Sequence, residues 1–88
     1  MKTNIQSIHF DASEQLQAFI EKKTAKLERF FDEIDTVEVT LKVVKPETAM
    51  NKQADVKVVV KNDNLFASKI CDTFEESIDQ CIDALRIQ

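Results

Sequence analysis

Two stretches in which apolar and polar residues alternate constrain the fold of this chain more than any other feature. Successive side chains of a β-strand point to opposite faces of a sheet, so this alternation predicts strands that are buried on one face only. The stretches are TVEVTLKVVK at 36–45 and ADVKVVVK at 54–61. Their predicted inward-facing residues are Val37, Val39, Leu41, Val43, Val56, Val58 and Val60. A sheet with one apolar face needs helices to cover that face.

Two further strands complete the predicted sheet. NIQSIHF at 4–10 is a short extended segment, and LFASKI at 65–70 returns along the strand that precedes it. The hairpin turn is predicted at NDN, residues 62–64, because Asn and Asp tolerate the left-handed backbone that a tight turn needs.

Apolar residues that recur at helical spacing predict two helices. The first is predicted over residues 13–32. Asp11 and Ser13 are both N-cap types, and with Asp11 as the cap Glu14 would complete a capping box. The second helix is predicted to begin after Asp72 as its cap. The two apolar stripes comprise Leu16, Phe19, Ile20, Leu27, Phe30, Phe31 and Ile34 in the first helix, and Phe74, Ile78, Cys81, Ile82 and Leu85 in the second.

The predicted order of elements is therefore β-α-β-β-β-α. A strand–helix–strand opening favours a parallel pair of strands, and the next two links are short enough to be hairpins. The predicted fold is an α+β (α/β) two-layer sandwich, in which two helices cover one face of a four-stranded sheet. The length of 88 residues predicts one domain over 1–88.

The composition disfavours several kinds of functional site. A chain without Gly cannot form a glycine-rich phosphate loop or a dinucleotide-binding fingerprint. Cys71 and Cys81 form no CxxC motif and have no neighbouring His, so we predict core thiols and no metal site. No Ser or Cys nucleophile signature accompanies His9, the single histidine. We therefore predict no enzyme, no cofactor, no metal and no small-molecule substrate.

The sequence also predicts a cytoplasmic protein without a membrane segment. No apolar run approaches the roughly 20 residues of a membrane span. The N-terminal MKTNIQSIHF lacks the apolar region of a signal peptide. Two cysteines in such a chain are typical of a reducing compartment.

A cluster of basic residues stands out in this acidic chain. There are 16 Asp and Glu against 12 Lys and Arg, yet residues 20–31, IEKKTAKLERFF, contain four bases. On a helical wheel Lys22, Lys26 and Arg29 form one flank beside the apolar stripe. Lys23 falls within the stripe's angular range, so its stem must follow apolar surface and its ammonium must emerge at an edge. Two interpretations stay open, a solvated helix face and an anion-binding edge.

The second predicted helix is acidic. Its single base is Arg86, and its acids are Asp72, Glu75, Glu76, Asp79 and Asp83. Acids in the first turn favour the helix through capping and the helix dipole. Asp79 and Asp83 lie too far along for that effect, and they would repel phosphate.

The sequence resembles a known family, the ribosome hibernation-promoting factors, also called ribosome-associated inhibitors or S30AE proteins. The clearest marker is AKLERFFDEI at 25–34, and the other matching segments, in order, are VEVTLKVVK, ADVKVVV, LFAS and DTFEESIDQCIDAL. The resemblance implies a fold akin to double-stranded-RNA-binding domains. It also implies binding in the mRNA and tRNA channel of the small ribosomal subunit, where occupancy blocks translation without chemistry.

The resemblance further implies a set of rRNA-binding residues. Family basic positions match Lys23, Lys26 and Arg29 in the first helix and Lys42 and Lys45 in the second strand. Lys22 is an additional base in the first helix, and Arg86 is the base that remains in the second.

Two departures from the family pattern bear on this site. Family members usually continue the last helix into several Lys and Arg residues, whereas this chain ends in DALRIQ. A common Gly-Gly in the hairpin is replaced by Asn62-Asp63.

The chain resembles the short family form without a C-terminal dimerisation domain, so we expect a monomer off the ribosome. The acidic second helix and the missing basic tail leave a second hypothesis open. In that hypothesis the fold serves as a protein-interaction or regulatory module with weak or no rRNA binding.

Overall fold

The chain folds in the predicted order of strands and helices, with one short 3₁₀ helix added after the first α-helix. The computed structural model describes residues 2–8, 10–31, 33–44, 50–61 and 63–87. The elements are β1 (Lys2–Ile8), α1 (Glu14–Ala25), the 3₁₀ helix (Lys26–Arg29), β2 (Ile34–Val43), β3 (Lys52–Val60), β4 (Asp63–Cys71) and α2 (Phe74–Ile87).

The four strands form one sheet in the order β1-β2-β3-β4. As predicted, β1 is parallel to β2, and the pairs β2–β3 and β3–β4 are antiparallel. The register places Ile5 opposite Val39, Val39 opposite Val56, and Val56 opposite Ala67. Apolar side chains therefore form continuous rows across one face of the sheet.

Both helices pack on this apolar face, which confirms the two-layer α+β sandwich. The fully buried core joins side chains of both layers. From the helical layer it takes Ile20, Leu27, Ile78, Cys81 and Leu85, and from the sheet Val37, Val39, Leu41, Val56 and Val58. Removing each of these Val, Leu and Ile side chains from water stabilises the fold by roughly 1.5–3 kcal/mol before opposing entropy is counted.

The helices begin at small hydroxyl residues. Of the two candidate caps for α1, the structure uses Ser13, whose Oγ accepts a hydrogen bond of 3.0 Å from the amide of Leu16. The prediction of Asp72 as the cap of α2 was wrong by one residue. The Oγ1 of Thr73 accepts a hydrogen bond of 3.1 Å from the amide of Glu76. Asp72 is engaged elsewhere, since its Oδ1 accepts a hydrogen bond of 2.8 Å from the amide of Met50.

The first helix ends earlier than the predicted residue 32. α-Helical geometry stops at Ala25, and the 3₁₀ helix advances about 120° per residue where the α-helix advances about 100°. The chain then turns at Glu33, whose φ of 57° lies in the left-handed region. Ile34, which was predicted on the helical stripe, instead begins β2 and is buried there.

The β3–β4 hairpin is tighter than predicted. Val60 pairs with Asp63 and Val59 with Asn64, so the connection comprises residues 61–62. Asp63 and Asn64, which were assigned to the turn, belong to β4. Asn62, like His9 and Lys45, lies outside the residues that the structure describes.

Candidate nucleic-acid interface

Three of the predicted basic residues lie along one exposed line, which we call the basic ridge: Lys22, Lys26 and Arg29. Lys22 lies in the last turn of α1, while Lys26 and Arg29 begin and end the 3₁₀ helix. Spacings of four residues on an α-helix and three on a 3₁₀ helix both bring side chains to the same side. The local backbone therefore gathers these three charges on one side of the molecule.

The basic ridge carries charge that its surroundings do not neutralise. Among the described residues, none of the three bases forms an ion pair. Like charges one helical turn apart destabilise a helix by a few tenths of a kcal/mol per pair. The repulsion within the ridge thus slightly destabilises the isolated protein, and its unpaired charges are available to an external anion.

Lys23 has a different environment from the ridge. Its Nζ lies 3.0 Å from Oδ1 of Asp79 on α2, and 5.4 Å from the centroid of the Phe19 ring. The side chain is 25% exposed. As the helical wheel predicted, its stem follows apolar surface, but its ammonium is held by an acid of the other helix.

Arg86 lies at the far end of the same inter-helix boundary. Its guanidinium carbon is 4.6 Å from the centroid of the Phe30 ring, and its Nη1 is 3.7 Å from Oδ1 of Asp83. This contact brings the base of α2 to Phe30, the residue that follows Arg29 at the end of the 3₁₀ helix. Arg86 therefore joins the neighbourhood of the basic ridge, with part of its charge already compensated.

The two acids that were expected to repel phosphate, Asp79 and Asp83, each pair with a predicted rRNA-binding base. Asp79 pairs with Lys23, and Asp83 pairs with Arg86. The Lys23 pair joins two helices that are distant in sequence, so helical spacing gave no signal of it. The predicted basic cluster thereby divides into an uncompensated ridge and two bases paired within the protein.

Lys42 lies apart from the other predicted site residues. It is exposed, and it stands between Ile8 and Gln53 in the sheet register, on the face away from the helices. Lys45 lies outside the described residues. The structure does not bring Lys42 together with the basic ridge.

The helix-free face of the sheet holds a shallow groove of about 250 Å³ that the sequence did not predict. Lys57 and Glu38 face each other there with 3.9 Å between Nζ and Oε2. Asp55 accepts hydrogen bonds from Gln53, at 3.0 Å, and from Ser68. Charges of both signs and neutral polar groups share this face, so it lacks the single sign of the ridge.

Phe30 is the residue whose position the sequence pattern misjudged most. It was assigned to the buried stripe of the first helix, but it is 50% exposed. Phe30 lies just beyond the last residue of the 3₁₀ helix, and its ring faces Arg86 at the boundary with α2. An exposed aromatic ring beside a basic ridge is a feature of interest for nucleic-acid binding.

The cysteines are core residues, as predicted. Cys71 and Cys81 are both buried free thiols. Burial, and to a lesser extent the nearby charge of Asp55, raise the pKa of the Cys81 thiol to about 12. Its Sγ donates to the carbonyl of Ala54 at 3.3 Å. Cys81 therefore stays protonated near neutral pH and packs as a small apolar side chain.

Two kinds of feature are absent from the described part of the chain. Within those residues, no three His, Cys, Asp or Glu side chains are grouped so that they could hold a metal ion. Nor does any helix there have the length and apolar character to cross a membrane.

The fold and the basic ridge define an α+β protein with an exposed, uncompensated basic edge, and comparison with known proteins gives its family. The sequence matches the family described as "Sigma 54 modulation protein / S30EA ribosomal protein" over residues 3–88. It is 34% identical over 88 residues to the ribosome hibernation promoting factor of Escherichia coli, covering 100% of this chain and 88% of that protein. The factor from Shigella flexneri gives the same figures. This protein belongs to the S30AE ribosomal protein family.

Two solved structures have the same fold. The ribosomal subunit interface protein of Coxiella burnetii matches with a TM-score of 0.84 at 23% identity, covering 100% of this chain and 92% of that one. The N-terminal domain of Thermus thermophilus Protein Y matches with a TM-score of 0.85 at 20% identity, covering 100% and 94%.

Proposed function

We propose that this protein binds the small ribosomal subunit in the channel used by mRNA and the A- and P-site tRNAs, and represses translation by occupying it. The protein then acts in the cytoplasm, as a monomer when off the ribosome, and its ligand is rRNA. Family membership supports this proposal, as does the match along the whole chain to a protein named as a ribosome hibernation promoting factor. Occupancy needs no catalytic group.

The observation that carries the proposal is the uncompensated basic ridge of Lys22, Lys26 and Arg29. Exposed Lys and Arg side chains bind nucleic-acid phosphates and release counterions, which makes the affinity dependent on salt. Such contacts fix the position and orientation of a protein without reading bases. Such positioning contacts suit a protein that represses translation by occupying one location on the ribosome.

The remaining predicted bases have secondary roles in this proposal. To bind a phosphate, Lys23 must leave Asp79 and Arg86 must leave Asp83. Each therefore contributes less to rRNA affinity than a ridge residue does. Lys42 lies on the other face of the sheet, so it can contact rRNA only where the channel surrounds the protein. Lys45 is proposed from the family resemblance alone.

Cosedimentation with purified ribosomal subunits tests the proposed ribosome binding. The wild-type protein should pellet with small subunits at physiological salt. The variant with Lys22→Glu, Lys26→Glu and Arg29→Glu should remain in the supernatant. A matched control with Lys2→Glu, Lys57→Glu and Lys61→Glu makes the same change in net charge away from the ridge and should retain most of the binding. Equal loss in both variants would show that net charge, not the ridge, governs the interaction.

Competition with tRNA tests the proposed location in the channel. Small subunits loaded with mRNA and tRNA should release the tRNA as this protein is added, because the two ligands occupy the same space. Simultaneous binding of tRNA and protein would place the protein elsewhere on the subunit.

A second candidate function is a protein-interaction module with weak rRNA binding. The five acids of the α2 region favour it, because two of them, Asp79 and Asp83, already occupy Lys23 and Arg86. A pull-down from nuclease-treated lysate separates the two functions. Protein partners recovered without ribosomal proteins would favour the interaction module, whereas recovery of small-subunit proteins would favour the ribosome factor.

A further inference from the structure

Phe30 lies at the boundary between the basic ridge and α2. It follows Arg29 directly, and its amide donates a hydrogen bond of 3.0 Å to the carbonyl of Leu27, which fixes it at the end of the 3₁₀ helix. The residue is 50% exposed. An exposed ring is thus held next to charges that are available to a phosphate.

The surroundings of Phe30 form a groove of about 330 Å³. The guanidinium of Arg86 lies over the ring, 4.6 Å from its centroid, and pairs with Asp83 at 3.7 Å between Nη1 and Oδ1. Ile87 completes the lining and is 85% exposed. The groove combines a flat aromatic wall, a planar cation and an aliphatic side chain.

We infer that Phe30 and Arg86 form a stacking platform for one unpaired RNA base, whose flanking phosphates lie on the basic ridge. This inference rests on the proposed function and adds a base-binding subsite to it. Single-stranded RNA is commonly bound by aromatic rings and Arg planes that stack on bases beside basic side chains that follow the backbone. Here Arg29 and Lys26 supply the backbone contacts within one turn of the ring.

The charges in the groove favour a base over a phosphate. The Asp83 carboxylate repels an anion from the groove, while an uncharged base meets no such penalty. Arg86 is already oriented by Asp83 and by the ring, so little side-chain freedom is lost when a base stacks there. Phosphate then remains on the ridge, outside the groove.

A single introduced tryptophan gives a direct probe of stacking, because the chain contains no Trp and no Tyr. Phe30→Trp retains a large flat ring at the platform. Phe66→Trp is the matched control, since Phe66 is 56% exposed but lies on β4, on the helix-free face of the sheet. Each variant is titrated at low salt with a single-stranded RNA octamer, with an otherwise equal octamer that carries abasic sites, and with purified small subunits.

The platform predicts quenching of indole fluorescence in Phe30→Trp on addition of the octamer, and no change in Phe66→Trp. Removing the bases should weaken binding to Phe30→Trp by roughly tenfold, in line with stacking contributions measured elsewhere. Phe30→Leu, which keeps an apolar side chain but has no π-face, should show a similar loss on the intact octamer.

The outcomes separate this inference from the proposed function. Absent quenching at position 30, or equal affinity for the intact and abasic octamers, would overturn the platform, while binding to small subunits would leave the ribosome proposal standing. Quenching by the octamer without binding to small subunits would support the platform and overturn the ribosome proposal.

Discussion

The Nζ of Lys23 lies 3.0 Å from Oδ1 of Asp79, so the base nearest the core of helix α1 is neutralised by an acid of helix α2. The two side chains are 25% and 50% exposed, so the pair is open to solvent on one side. Such a pair contributes little to stability, typically below about 1 kcal/mol. Its larger effect is on the charge that the protein presents to an external anion, which in the proposed function is an rRNA phosphate.

We expect Asp79→Asn to strengthen binding to small subunits. The substitution removes a negative charge that repels phosphate and frees Lys23 to contact one. If Lys23 then neutralises a phosphate, the slope of log affinity against log salt should become steeper by up to about 0.9. Chemical denaturation should show a change in unfolding free energy of less than about 1 kcal/mol.

Glu38→Gln is the matched control for that variant. It removes one negative charge and also separates an acid from a lysine, Lys57, but on the face of the sheet away from the helices. Its salt slope should equal that of the wild type. If both variants bind alike, the Lys23–Asp79 pair does not limit rRNA affinity.

Ser13→Ala should lower the free energy of unfolding by about 1 kcal/mol, because an amide in the first turn of α1 loses its side-chain acceptor. Asp11→Ala should have a smaller effect, since the side chain of Ser13, not of Asp11, caps the helix. Urea denaturation of the two variants measures this difference. A larger loss for Asp11→Ala would contradict the observed cap.

The buried thiol of Cys81 should make stability depend on pH under alkaline conditions. The folded protein holds this thiol's pKa near 12, above its ordinary value of 9.0 in the unfolded chain. The folded state therefore keeps a proton that the unfolded state releases. This contribution to stability is complete below about pH 9 and is lost as the pH rises toward about 12.

The effect is measured by determining the free energy of unfolding of the wild type and of Cys81→Ala at several pH values between 8 and 11. Above pH 9 the free energy of unfolding of the wild type should fall more steeply, by up to about 1.4 kcal/mol per pH unit, which is the effect of one proton. The slopes of unfolding free energy against pH are compared, because the smaller side chain of Ala lowers stability by the same amount at every pH. Parallel curves would show that Cys81 does not titrate differently in the two states.

The sequence predicted the sheet well because strand burial follows a local rule. In a two-layer fold, alternate residues of a strand must face the core, and the predicted Val37, Val39 and Leu41 are all buried. The two helical stripes likewise located the core residues Ile20 and Ile78. These patterns depend only on the period of each element.

The parts that were missed depend on contacts between elements or on small changes in backbone geometry. A wheel drawn at a constant angle through residue 32 placed Phe30 in the core, but the helical segment ends at Arg29 and Phe30 is 50% exposed. The pairing of Lys23 with Asp79 requires a particular packing of two helices. Charge counts along one helix cannot reveal such a pair, so the division of the basic cluster became visible only in three dimensions.

The salt dependence of binding to small subunits measures directly whether the basic ridge contacts rRNA phosphates. With Lys22, Lys26 and Arg29 each in contact with a phosphate, the ridge should contribute about −2 to −3 to the slope of log affinity against log salt. Replacing all three with Gln should flatten the slope by that amount, while Gln at Lys2, Lys57 and Lys61 should leave it nearly unchanged. If the ridge variant bound small subunits with the affinity and salt slope of the wild type, the basic ridge would not be the rRNA contact.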